Sequence, residues 1–257
     1  MTSQQVPASA LEAFCREVLL RVGAPSPAAE VVAESLVDAD LRGLDSHGVV
    51  ARLPAYVQRV QKGGIVADAV VTRVDAGDGP VGVLDGADGF GQVAADAASA
   101  LAERFARDHG VGVVSVRRSN HLGALGYYAR RTAERGLVAY AASGGGPRIA
   151  PWGGAEPLLA TNPWSYGFPV TGRSPMVVDV SNGVVLTGAV DGPAARGESI
   201  PLGWALDAAG RPTEDASAGA AGSLLAFGGV KGTSLTLALE ALVSCFTGAA
   251  SGPEVPS

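Results

Sequence analysis

Val111-Gly112-Val113-Val114-Ser115-Val116 restricts the possible folds of this chain more than any other stretch. It is an almost continuous apolar run, and a run of that length predicts a buried strand. Before it lies a long alanine-rich helical segment, Gln92 to His109, with Val93, Ala97, Leu101 and Phe105 on one side. After it come Arg117, Arg118, Ser119, Asn120 and His121, then a helical segment from Leu122 to Arg135 closed by Gly136, and a further strand from Leu137 to Ala142. Helix, strand, polar loop, helix, strand describes an α/β layer, and ligands collect at strand ends of such layers. A histidine after a strand is often a satisfied structural residue, so His121 alone carries no assignment. His109 reads as a helix C-terminal residue near the negative dipole end and is given no function.

The first third is helical. Leu11, Phe14, Val18, Leu19 and Val22 keep helical spacing up to Gly23, with Pro25 just beyond. Ser26-Pro27 starts a second helix, whose apolar side is Val31, Val32, Leu36, Val37 and Leu41. Asp45 or Ser46 then caps a short helix carrying His47 and Arg52, and Pro54 starts a new turn that continues to Gly63-Gly64. Val70–Val74 and Val81–Asp85 read as a hairpin. The link between them contains Gly77-Asp78-Gly79-Pro80-Val81-Gly82, a literal G-x-G-x-x-G. It is not read as a dinucleotide fingerprint, because that motif must follow a strand and open a helix. Gly86–Gly91 forms another loop. The expected domains are 1–69, helical, and 70–257, an α/β part. Met176–Val180 is a strand, and Ala205 to Pro212 a turn-rich ribbon.

Composition narrows the function classes. The 257 residues suffice for one large domain or two modest ones. Hydrophobic residues make up 47% and charged residues 17%, a globular balance. The net charge of −6 argues against a general nucleic-acid surface, which needs a basic stripe. Cys15 and Cys245 form no disulfide framework. The start, Met1 to Val6, lacks the basic and apolar regions of a signal peptide. Leu235–Phe246 is too short to span a bilayer and is interrupted by Glu240. A soluble cytoplasmic protein is the expectation, with no membrane and no metal.

Chemistry concentrates in Asp45-Ser46-His47-Gly48, with Arg52 following. Histidine gives and takes protons near neutrality, and arginine grips a carboxylate with two parallel hydrogen bonds. Together they suit a small 2-oxo or 2-hydroxy acid whose oxygen gains or loses a proton. The alternative is that His47 helps cap a helix and Arg52 is solvated. Ser143-Gly144-Gly145-Gly146-Pro147 has several backbone N–H groups available; it cradles phosphate or carboxylate oxygens, or it is a plain turn. Gly228-Gly229-Val230-Lys231-Gly232 opens an apolar helix, Thr233–Phe246, and Lys231 adds positive charge at its anion-favouring end. It is not a Walker A motif. A helix apolar on most sides is a core or subunit-interface helix.

The order Asp-Ser-His-Gly at 45–48, Ser-Asn-His at 119–121, Ala-Pro-Trp-Gly-Gly at 150–154, Pro-Leu-Leu-Ala-Thr-Asn-Pro at 157–163 and Gly-Gly-Val-Lys-Gly at 228–232 resembles the non-Rossmann malate/L-lactate dehydrogenase family. Sulfolactate and ureidoglycolate dehydrogenases and piperideine-2-carboxylate reductases belong to it. The likeness runs from about Leu11 to about Gly252. It implies an α/β fold in which a helical N-terminal unit is joined to a non-Rossmann nucleotide-binding domain with a largely antiparallel or mixed sheet. It also implies an NAD(P)-dependent oxidoreductase moving hydride to or from C2 of a 2-oxo or 2-hydroxy acid or a cyclic imine carboxylate. By the same resemblance His47 is the acid/base, Arg52 holds the substrate carboxylate, and Ser46 and His121 line the pocket. Thr161, Gly229 and Lys231 match positions near the cofactor, NADP or NAD, or near the carboxylate, and Ser143 and Gly144 are expected at the cofactor. The family forms homodimers.

Three departures from the family pattern touch cofactor or substrate handling. The family continues past the equivalent of Gly252, so another chain completes the fold or the segment is lost. Ser143-Gly144-Gly145-Gly146 replaces a Thr-Asn-Ser type of loop, and Ala189 stands where the family has a lysine. These departures leave open a second reading, a family member that has lost hydride transfer and does non-redox acid/base chemistry or serves in a larger complex.

Overall fold

A computed structural model describes residues 5–255. Met1–Gln4, part of the start read above as lacking a signal peptide, and Pro256–Ser257 lie outside the described residues. Along the chain come α1 (Ala8–Arg21), α2 (Ser26–Leu41), a 3-10 turn (Asp45–His47), α3 (Val49–Gln61), β1 (Thr72–Arg73) and β2 (Val81–Gly89). There follow α4 (Gly91–His109), β3 (Val113–Ser119), α5 (Leu125–Glu134), β4 (Ala139–Ala142), β5 (Ile149–Ala150), β6 (Trp164–Phe168) and β7 (Met176–Val180). The rest is α6 (Gly188–Arg196), β8 (Ala205–Leu206), β9 (Pro212–Thr213), α7 (Ala216–Ala221), β10 (Ser223–Leu225) and α8 (Val230–Glu240), then a π-helical turn, Ala241–Cys245, and a 3-10 turn, Gly252–Glu254.

The fold is mixed α/β and divides into two compact units. One holds the described residues of Met1–Ala139 with Tyr166–Val177; the other holds those of Tyr140–Ser165 with Val178–Ser257. In the first, Cys15, Leu19, Ala29, Val32, Leu36, Leu53, Tyr56 and Phe90 form the core. Each large apolar side chain there contributes roughly 1.5–3 kcal/mol by leaving water. Helix α4 packs on α2 and on strands β2 and β3, so the helical segment and the first sheet share one unit. That sheet has the order β1-β2-β3, with β1 antiparallel and β3 parallel to β2. The β1–β2 hairpin bears out the reading of Gly77–Gly82 as a turn. The register shifts between Asp85 and Gly89, so β2 runs on through the stretch expected to be a loop.

Three local expectations are corrected. Strand β3 is not buried: Val113 is 53% exposed, because β3 has one strand neighbour and α4 on one side. Pro54 does not start a new turn but sits inside α3. The carbonyl it leaves unpaired belongs to Val50, which is 90% exposed and open to water. Helix α5 begins at Leu125 rather than Leu122 because Gly123 takes a φ of +83° and its N–H is used elsewhere.

In the second unit the sheet order is β5-β10-β8-β9, with β10 parallel to β5 and antiparallel to β8. Ile149, Leu159, Val190, Ile200 and Leu224 form its core. Helix α7 is capped by Asp215, which accepts from the Ser217 and Ala218 N–H groups at 2.8 and 3.1 Å. Helix α8 starts at Val230, so Lys231 lies in its first turn rather than ahead of it. A third sheet has the order β4-β6-β7.

Gly112 and Gly146 test this packing. A Cβ on Gly112 would stand 2.0 Å from the Ala102 carbonyl oxygen on α4, whereas one on Gly146 meets nothing within 4 Å. Gly112→Ala should lower unfolding free energy by about 2 kcal/mol or more. Gly146→Ala should stay within about 0.5 kcal/mol of wild type. Urea unfolding curves measure both.

Candidate functional site

His47 is placed by a carboxylate beneath it. Asp40, on α2, accepts the Val49 N–H at 3.0 Å and so satisfies the start of α3 in place of the expected Asp45 or Ser46 cap. A Cβ on Gly48 would fall 1.7 Å from the Asp40 carboxylate, so a larger residue there would push that carboxylate off the Val49 N–H. Ser46 Oγ lies 2.9 Å from His47 Nδ1. Arg52 Nε donates to the Ser46 carbonyl at 2.7 Å, which holds the guanidinium against the turn. Among the described residues none takes its two terminal nitrogens, and Arg52 is half-buried.

His121 reaches the same place from the loop after β3. The His47 and His121 rings stack with centroids 5.6 Å apart and planes 25° off parallel. Tyr56, on α3, has its hydroxyl 2.7 Å from His121 Nδ1, and the Gly123 N–H donates to that nitrogen at 3.3 Å. Gln92 Nε2, on α4, donates to the Tyr56 hydroxyl at 2.8 Å. Asn120 fixes the loop by donating to the Asp88 and Gly89 carbonyls, and Arg59 donates to Asn120. A Cβ on Gly91 would stand 2.1 Å from the Asn120 carbonyl, so α4 begins hard against this loop. The structure therefore brings Ser46, His47, Arg52 and His121 together.

The electrostatics oppose positive charge on either ring. His47 is lowered from 6.5 to about 4, first by burial and then by Arg52. His121 is lowered to about 3 by burial, then by Arg52, His47 and Arg59. Water reaches the outer edge of His121 and screens part of this effect, while the inner edge is packed on Tyr56 and Gly123. Burial pushes the Tyr56 phenol up to about 12, against the lowering effects of Gln92 and Arg52. At neutral pH the cluster is two neutral imidazoles and a neutral phenol beside two guanidiniums, Arg52 held on the Ser46 carbonyl and Arg59 on Asn120, neither with a carboxylate partner among the described residues.

The five candidates in the second unit fall into two groups at opposite ends of α8. Ser143 N–H donates to the Pro163 carbonyl at 3.1 Å, and a Cβ on Gly144 would lie 3.0 Å from Ser244 Oγ. The Thr161 carbonyl accepts the Asn182 N–H at 2.9 Å. The neighbouring Asn162 is fully buried and donates to the Thr236 carbonyl and to Glu240. Gly229 and Lys231 lie at the other end, about 16 Å away along the helix at 1.5 Å per residue. A Cβ on Gly229 would strike the Trp152 ring at 2.8 Å, and its φ is +60°. Lys231 is exposed and has no carboxylate partner among the described residues.

Comparison with known proteins follows this geometry. The model of the malate/L-lactate dehydrogenase family matches residues 6–257. An NADP(+)-dependent (2R)-3-sulfolactate dehydrogenase from Chromohalobacter salexigens is 40% identical over 96% of this chain and 73% of its own length. A malate dehydrogenase from Pyrococcus abyssi is 38% identical over 95% of this chain and 69% of its own. The solved structure of Δ1-piperideine-2-carboxylate reductase from Pseudomonas syringae superposes with a TM-score of 0.91 at 33% identity, covering 97% of this chain and 75% of that one. The chain belongs to the malate/L-lactate dehydrogenase family. The motif order read from the sequence bears this out, and so does the mixed α/β fold.

Sequence reasoning missed Tyr56, Gln92 and the Asn162–Glu240 pair. Tyr56 carried a signal, since it stands four residues after Arg52 and shares its face of α3. Gln92 carried none: it opens an alanine-rich helix, and only the tertiary structure buries it and brings its amide to Tyr56.

The depressed imidazoles set a pH dependence. The unfolded chain takes up protons near 6.5 that folded His47 refuses until about 4, so the unfolded state holds more protons in that window. Stability should rise with pH from about 4 to about 6.5. Replacing His47 and His121 by Asn should flatten that slope relative to wild type, read from unfolding free energies at a series of pH values.

Proposed function

We propose that the His47–Arg52–His121 cluster is where this oxidoreductase handles C2 of a small 2-oxo or 2-hydroxy acid or a cyclic imine carboxylate. The observation that carries the reading is Arg52, half-buried, with its terminal nitrogens unpaired beside two imidazoles kept neutral. A planar carboxylate matches that fork in charge and shape. Names of relatives support the substrate class, since they act on sulfolactate, malate and piperideine-2-carboxylate.

In the oxidising direction the C2–H bond breaks with its electron pair leaving as hydride, and the C2 hydroxyl proton passes to neutral His47. The product is the 2-oxo acid, and the imidazolium then returns its proton to water. Nicotinamide, when bound, supplies the hydride acceptor or donor. Arg52 is one reason His47 resists protonation, so a carboxylate that neutralises Arg52 raises the proton affinity of His47. In the reducing direction the bound substrate thereby helps load its own proton donor. Ser46 steers His47 through the 2.9 Å contact, and His121 stacks on the His47 ring at 5.6 Å.

For the cofactor, NADP or NAD, the fitting residues are Ser143, Gly144, Thr161, Gly229 and Lys231. The start of α8 has no side-chain cap, Gly228 and Gly229 both have positive φ, and Lys231 adds a cation, which suits an anionic group. In this reading residues 1–69 carry the proton chemistry and 70–257 the cofactor. A homodimer in the cytoplasm completes the proposal; Leu237, Leu242 and Phe246 leave an apolar face of the last helical segment exposed.

His47→Ala should reduce kcat by roughly 10²–10⁴-fold. Arg52→Ala should raise KM for the carboxylate substrate by roughly 10–100-fold while changing kcat less. Steady-state assays following NADPH or NADH absorbance against a panel of 2-oxo acids measure both. An unchanged kcat in the His47 variant removes the assignment.

A further inference from the structure

We propose that Gln92 and Tyr56 are positioning residues that lock His121 in the tautomer with its proton on Nε2, so that its open edge presents an N–H donor to the substrate's C2 oxygen. The inference rests on the function proposed above and adds a division of labour: His47 moves the proton, and His121 donates a fixed hydrogen bond.

The direction of the hydrogen bonds follows from one group that has no choice. The Gly123 backbone N–H can only donate, and it points at His121 Nδ1. Nδ1 is therefore an acceptor, and the proton of the neutral ring sits on Nε2. The Tyr56 hydroxyl, 2.7 Å from the same nitrogen, must then donate to it. Having spent its proton, the phenol oxygen needs a donor of its own, and Gln92 Nε2 supplies one at 2.8 Å. The opposite arrangement fails. If the Gln92 amide were turned, its oxygen would accept the Tyr56 proton and the phenol would accept from Nδ1–H. The Gly123 N–H would then face another N–H.

The two positioning residues are buried. Gln92 is fully buried, and its Oε1 meets no donor among the described residues. A buried amide oxygen left unpaired costs free energy, so the favourable contact this amide makes is through its nitrogen. Tyr56 is 3% exposed. Among the described residues none takes His121 Nε2, and the residue is exposed with its ring stacked on His47. The groups facing His121 are His47 on the 3-10 turn, Tyr56, Arg52 and Arg59 on α3, and neutral Gln92 on α4. Every charge among them is positive or absent, so none draws a second proton onto the ring.

The test uses the full chain with ¹⁵N-labelled histidine imidazoles, His121 being assigned by comparison with His109→Gln and His47→Gln. Long-range ¹H–¹⁵N correlation spectra read which nitrogen carries the proton. Wild type should show His121 as a single neutral tautomer protonated on Nε2 between about pH 5 and 8. Tyr56→Phe, which keeps the buried ring, and Gln92→Met, which keeps the volume, should both give a mixture of tautomers. With any 2-oxo acid that wild type turns over, both should lower kcat about tenfold with little change in KM. A proton on Nδ1 in wild type, or spectra unchanged in both variants, would overturn the relay. Neither result bears on whether Arg52 binds a carboxylate. That is read separately, by titrating L-malate into wild type and the Arg52→Ala variant and following the His47 resonances.

Discussion

The hydroxyl of Tyr56 ties three parts of the chain to one point. Its ring belongs to the apolar core with Leu36, Leu53 and Phe90, yet its oxygen must be hydrogen-bonded because a buried polar atom without a partner is costly. The partners come from α4, through Gln92, and from the loop after β3, through His121. One phenol thus fixes the separation of α3, α4 and the histidine loop. The stacked imidazoles depend on that separation, since His47 is held from the α3 side and His121 from the β3 side. Packing enforces the same arrangement at Gly48 and Gly91, where a single methyl would collide with Asp40 or with the Asn120 carbonyl.

What could be read from the sequence follows from how local each cause is. The helices ending near Gly23 and Gly43, the β1–β2 hairpin and strand β7 are set by periodicity and turn chemistry over a few residues. The motif order recovered the family for the same reason, since each motif is a short run that keeps its residue types. The failures have non-local causes. Val111–Val116 is as apolar as a buried strand, but burial depends on what lies on each side, and β3 is an edge. Pro54 usually ends a helix, but its cost falls when the carbonyl it orphans can be hydrated, as at Val50. Helix α5 starts late because the Gly123 N–H is committed to His121. The role of Gln92 depends on its tertiary contact with Tyr56, 36 residues earlier in the chain.

The last helix inverts the usual pattern. Its buried line is Thr233, Thr236, Leu239 and Glu240, followed by Ser244, whereas Leu237, Leu242 and Phe246 are exposed. A carboxylate that is 8% exposed needs donors, and Glu240 has them in Asn162 Nδ2, Ser244 Oγ and the Gly252 N–H. Asn162 is itself held through Asn182, which donates to the Asn162 carbonyl while accepting from Trp164 Nε1. A chain of amides therefore anchors the Thr161-Asn162-Pro163 loop to α8. Asn162 takes a φ of +33°, a conformation such a network can hold where a free loop would relax. That Asn162 answers a buried glutamate 78 residues later is a tertiary fact.

The balance of charge in the candidate site gives the strongest argument for what it binds. A half-buried guanidinium is ordinarily matched by a carboxylate, and elsewhere in this chain half-buried arginines are: Arg130 with Asp38 and Arg131 with Asp96. Arg52 instead donates to a peptide carbonyl and stands beside two imidazoles that it makes less basic. Stability alone gives no reason for that choice, since one acidic side chain beside Arg52 would satisfy the cation and relax both rings. The arrangement makes sense if the missing anion arrives with the substrate. A carboxylate bound there removes the penalty on Arg52 and, in the same event, makes His47 a better proton acceptor at the moment a proton has to move.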